Sequence, residues 1–133
     1  MSNSSQTTSG EPSVTTKSVR EFTDGTAPIH ATLGDLRAEL DGIDGQLVDL
    51  LAKRAKLVRD AVRFKVDEFQ VSAPVRQETV INRAHELAEQ KKSPLVGFSG
   101  LVEQIYRVLV PGFANLQQEE FKRTRLTKDK LAD

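Results

Sequence analysis

The stretch Thr32–Val66, TLGDLRAELDGIDGQLVDLLAKRAKLVRDAVRFKV, decides the fold. Leu36, Ile43, Leu50, Leu57 and Phe64 recur every seven residues, and Leu33, Leu40, Leu47 and Ala61 make a second, interleaved row. Spacings of three and four put both rows on one face of an α-helix. Arg54 takes a place in the second row, and a charge set into an apolar seam is costly unless something pairs with it. About 34 helical residues at about 1.5 Å each give a rod of about 50 Å, against an average globular helix of roughly 10–14 residues. A seam that long needs a partner along its whole length. The pattern predicts a helical dimer with cations lodged along its central helix.

Thr32 is placed to start this helix, its hydroxyl accepting a hydrogen bond from the backbone of Asp35, whose own charge suits the first turn. No proline follows until Pro74, so the helix is expected to reach about Lys65 or Val66. Gly34, Gly42 and Gly45 fall away from the large seam residues, as surface positions or points of close approach. Residues 1–30 are rich in Ser and Thr, carry no sustained period, and read as a disordered tail. The helical domain is expected over residues 31–122 and a charged tail over 123–133.

Asp67 to Ala73 reads as a loop in which Phe69 and Val71 cover something, because bulky apolar residues in a short polar loop seldom face water without cause. Pro74 fits the first turn of a second helix. Val80, Ile81, Ala84, Leu87 and Ala88 stripe that helix, Lys91 and Lys92 suit its end, and Ser93-Pro94 stops it. A third helix starts near Ser99 and carries Leu101, Val102, Ile105, Val108, Leu109, Phe113 and Leu116. Pro111-Gly112 is expected to kink or break it. The fold class is all-α: one long helix and two shorter ones, paired as a homodimer.

Composition narrows the function. The 133 residues hold 19 Lys and Arg against 19 Asp and Glu, so no global charge favours nucleic acid or an anionic membrane. The absence of cysteine excludes disulfides, thiolate catalysis and thiolate metal sites. His30 reads as a linker residue and His85 as a helix-surface residue; neither has metal-site spacing. No stretch has the roughly 18 apolar residues of a membrane span, and the N-terminus lacks the apolar core of a secretory signal. A cytoplasmic protein is expected.

Anion binding must then come from locally placed cations. Along one continuous helix Arg54 and Lys65 fall within about 20° of the same face, about 16 Å apart in rise. Arg54 offers a bidentate fork to a carboxylate, and Lys65 a point charge. Arg37 lies about 25 Å from Arg54 along the helix and about 100° around it, so it reaches such a site only from an antiparallel second copy. The spacing allows a dicarboxylate pocket completed across a dimer interface. It equally allows solvated cations or i,i+4 pairs, such as Arg37 with Asp41 and Lys56 with Asp60.

The run Leu36-Arg37-Ala38-Glu39-Leu40-Asp41-Gly42-Ile43-Asp44, then Leu50-Leu51-Ala52-Lys53-Arg54, then Arg63-Phe64-Lys65, resembles the all-helical chorismate mutase family. The spacings of 17 and 11 between the three cations agree with that family without a gap, and the likeness extends from about Leu33 to Phe121. Ala73-Pro74-x-Arg76 looks closest to the branch containing isochorismate pyruvate lyase. The resemblance implies an intertwined homodimer with two equivalent sites for a small dianionic substrate, and no metal or cofactor. Arg37 would enter the partner's site and bind one carboxylate, Arg54 would bind the other, and Lys65 would hydrogen-bond the ether oxygen and a carboxylate. Gln77 stands where mutases often have Glu against the ring hydroxyl. The family's glutamine donor to the ether oxygen aligns with Phe113 or Ala114; Gln117, one turn later and followed by Gln118, is the expected substitute. The implied activity is chorismate mutase. The rivals are isochorismate pyruvate lyase, a mutase of the 4-amino analogue, and a non-catalytic helical dimer that binds or senses a partner.

Overall fold

The computed structural model describes residues 19–124. The first part of the expected N-terminal tail and nearly all of the expected C-terminal tail lie outside them. Every regular element among the described residues is helical: α1 (Leu33–Ala61), a 3₁₀ turn (Val62–Phe64), α2 (Glu68–Ser72), α3 (Pro74–Lys91) and α4 (Phe98–Arg123). Two compact units divide the chain, residues 1–52 and 53–133.

The first unit holds most of α1. Thr32 caps it as expected, with the Asp35 N–H donating to the Thr32 hydroxyl at 3.1 Å. Just upstream, His30 Nε2 lies 2.6 Å from Glu39 Oε1, so this histidine is tied to the helix rather than loose in a linker. No residue of α1 is buried. Leu40, Leu47 and Leu57 are 50 %, 53 % and 66 % exposed, and the apolar face read from the heptads stands open in the single chain. Outside their own helix, nothing among the described residues lies within 4 Å of a Cβ built at Gly42 or Gly45, so within the single chain both are surface positions.

α1 ends at Ala61, short of the expected Lys65. Val62 turns inward and is 8 % exposed, and the chain tightens into the 3₁₀ turn, a common way for a helix without a C-terminal glycine to close. The expected loop over 67–73 is also helical in part. Asp67 accepts from the Gln70 N–H at 2.8 Å and caps the short α2. Of its two bulky residues, Val71 is 2 % exposed and covers the core, whereas Phe69 faces outward.

α3 begins on Pro74, as expected. Its buried residues Ile81, Ala84 and Ala88 keep the i, i+3, i+7 spacing of one helical face. It runs antiparallel to α4, as the pairs Glu78–Arg107, His85–Glu103 and Glu89–Ser99 require. His85 is half-buried between Glu89 and Glu103 rather than on an open surface, its Nδ1 3.1 Å from Glu103 Oε1. α4 passes through Pro111 without ending and runs to Arg123, so the expected break does not occur there. Contacts on both sides of the proline, with α3 before it and with α2 after it, offset the lost backbone bond. The short core thus lies among the 3₁₀ turn, α2, α3 and α4. No helix among the described residues is long and apolar enough to cross a membrane.

Candidate active site

Arg54, late in α1, is half-buried. Its guanidinium carbon sits over the Phe113 ring, 4.8 Å from the centroid. Of Phe113 and Ala114, Phe113 thus places its ring against Arg54. No Asp or Glu among the described residues pairs with Arg54 or with Lys65. Most other arginines of the second unit are committed: Arg59 donates to Glu120 at 2.6 Å, Arg63 to Asp60 at 2.6 Å and Arg107 to Glu103 at 3.0 Å. Asp60 thus takes Arg63 and not Lys56.

Lys65 leaves the 3₁₀ turn with extended backbone, φ −100° and ψ 137°, its N–H donating to the Val62 carbonyl at 3.0 Å. The single helical face expected for Arg54 and Lys65 is therefore interrupted before the lysine. The next residue is fixed as well, because the Val66 N–H donates to Gln70 Oε1 at 2.8 Å. Half-buried Lys65 lines an open concavity of about 370 Å³ with Phe64, Phe69, Gln70, Pro74 and Arg76. Two cations set in a largely apolar wall suit a small anion with a hydrocarbon body. Arg54 does not line this concavity.

Three glutamines strap the elements around these cations. Gln77 is half-buried, and its side chain donates to the Ser72 carbonyl. It closes the junction at Ala73, whose left-handed φ of 39° turns the chain from α2 into α3. Gln117 donates to the Val58 carbonyl at 2.7 Å, one turn beyond Arg54 on α1. Gln118 donates to the Glu68 carbonyl at 3.0 Å and ties α2 to α4. A fourth tie is ionic: Glu120 bridges Arg123 of its own helix and Arg59 of α1, and the hydrogen bonds from Arg123 and then Arg59 hold its carboxyl below the ordinary range. Arg37 lies on α1 in the first unit with an exposed side chain.

Sequence spacing singled out Arg37, Arg54 and Lys65, and the family resemblance added Gln77 and Gln117; the structure describes all five. It missed the part played by Phe113. The only sequence signal was that the expected donor position of α4 holds an aromatic residue. Gln118 was noted merely as the neighbour of Gln117, since nothing in the sequence says which carbonyl an amide will find.

No curated protein matches the chain. A family model described as chorismate mutase type II matches residues 36–118. The matched span begins one residue before Arg37, ends one residue after Gln117, and takes in every candidate residue. The helical architecture and this match together place the chain in the type II chorismate mutase family.

Proposed function

We propose that the protein is a chorismate mutase, rearranging chorismate to prephenate in a homodimer with two sites. The observation that carries this reading is a half-buried Arg54 with no carboxylate partner among the described residues, inside a family match that also spans Arg37 and Lys65. A guanidinium partly withdrawn from water with no anion beside it is completed by an anionic ligand. The open apolar face of α1 supports the dimer, because a second copy is the partner whose own α1 offers the same complementary face.

The rearrangement is pericyclic: the ether C–O bond breaks as a C–C bond forms, with no nucleophile and no net proton transfer. Arg54 binds one carboxylate and Arg37, donated by the partner, binds the other. Together they hold the dianion in its folded, reactive conformer. Lys65 stands at the ether oxygen, where negative charge grows as the bond lengthens. Gln77 faces the ring hydroxyl from the start of α3. Gln117, whose amide donates to the Val58 carbonyl, steadies the turn of α1 after Arg54.

Isochorismate pyruvate lyase is the second reading, favoured by one observation: Pro74 and Arg76, of the Ala73-Pro74-x-Arg76 run, line the concavity at Lys65. The test is a product assay with chorismate and isochorismate supplied separately, quantifying prephenate, salicylate and pyruvate over the spontaneous background. Prephenate from chorismate is the expected result. Salicylate with pyruvate from isochorismate, at higher efficiency, would transfer the protein to the lyase reading. No product from either would refute both.

A further inference from the structure

We infer that Phe113 is the positioning residue for Arg54: its ring holds the guanidinium by the face and leaves the N–H edge free to take a substrate carboxylate. The inference rests on the proposed reading of Arg54 as a carboxylate-binding group.

A guanidinium has two kinds of surface. Its five N–H donors lie in the plane, and its faces are weakly hydrated and stack on aromatic rings. A carboxylate partner would fix Arg54 by consuming the in-plane donors, the same donors a dicarboxylate ligand needs. An aromatic face fixes it without consuming any. The structure shows that second arrangement, with the guanidinium carbon 4.8 Å from the Phe113 centroid. Arg59, Arg63, Arg107 and Arg123 show the first, each with its donors engaged by Glu or Asp. Both members of the Arg54–Phe113 pair are half-buried, so neither is held by water alone.

Around the pair, the geometry keeps both parts in register. Gln117 lies one turn after Phe113 on α4 and bonds the Val58 carbonyl, one turn after Arg54 on α1. Glu120, about one turn after Gln117 on α4, adds a second link to Arg59, the residue after Val58 on α1. The ring is thus set at a fixed height against the arginine, which lowers the cost of immobilising a flexible cation when a ligand binds.

A group that grips a carboxylate in both the ground state and the transition state contributes uniform binding, so loosening it raises KM more than it lowers kcat. In Phe113→Leu, which keeps apolar volume and removes the π-face, KM is expected to rise roughly three- to tenfold while kcat changes less. Phe113→Tyr, which restores the face, is expected to bring KM back to within about threefold of wild type. The kinetics are read beside two independent measurements. Circular dichroism and thermal melting report whether α4 still packs. The NMR signal of the Arg54 Nε–H, ring-shifted in wild type and in the Tyr variant, is expected to lose that shift in the Leu variant. Wild-type KM in Phe113→Leu, or a Tyr variant no better than Leu, would overturn the inference while leaving the reaction standing. Equal losses in kcat and KM with a lowered melting temperature would reduce Phe113 to ordinary packing and also overturn it. A wild-type protein inert towards chorismate and isochorismate would overturn the proposed reaction itself, and this inference with it.

Discussion

Lys65 and Arg54 carry the same charge in different settings, and the settings predict different kinetic signatures. Lys65 stands on extended backbone between the 3₁₀ turn and α2, on the wall of the concavity, with no carboxylate among the described residues to neutralise it. In the proposed reaction it meets charge that exists only as the C–O bond breaks. Lys65→Ala is therefore expected to lower kcat by roughly 10²–10³-fold, in line with losing a charged donor from a preorganised site, and to change KM less. Steady-state kinetics on chorismate check this, and near wild-type kcat would remove Lys65 from the chemistry. Phe113 shows where residue-level reading from sequence ends. Its identity is plain in the chain, but a ring under a guanidinium requires two helices to meet at one height, and no spacing within either helix encodes that.

Elements are joined here by side chains that reach backbone carbonyls or opposite charges across a seam. The tie of α1 to α4 by Arg59 and Glu120 has a pH signature. The folded-state pKa of Glu120 lies below the ordinary glutamate value, because Arg123 and Arg59 bond the ionised form. Its contribution to stability is present in full above the ordinary value and is lost as pH falls below about 4.3 towards the folded value. Thermal melting between pH 6 and pH 3 is expected to show a steeper acid loss for wild type than for Glu120→Gln, which has no charge to lose; parallel profiles would contradict the tie. Local chemistry made several element boundaries legible: the Thr32 cap, Pro74 at the head of α3, and the 81, 84, 88 stripe. Other boundaries were set by packing. Val62 bends the end of α1 because it is buried, and α4 survives Pro111 because contacts hold it on both sides.

For the whole molecule, the open face of α1 is the dominant feature. Burying one leucine side chain contributes about 1.5–3 kcal/mol, so a row of half-exposed leucines is a large driving force awaiting a partner. The proposed homodimer, in which the partner would donate Arg37, predicts that Leu47→Asp, on that row, shifts the protein to monomer in sedimentation equilibrium and removes turnover with it. A dimer that persists in Leu47→Asp would refute this use of the face. A monomer that stays fully active would refute the donation of Arg37.

By itself the sequence determined the helical class, the long apolar seam, the intrusion of Arg54 into it, and the spacing of three cations that marks the family. These follow from periodicity and local chemistry, which act within one helix. Only the tertiary structure decided that the helical face of Arg54 stops before Lys65, that Gln77 closes a turn and Gln117 braces a carbonyl, and that a phenyl ring lies under the guanidinium. Each of those depends on which atoms from separate elements reach hydrogen-bond or van der Waals distance, and burial and backbone satisfaction settle that for the whole fold at once.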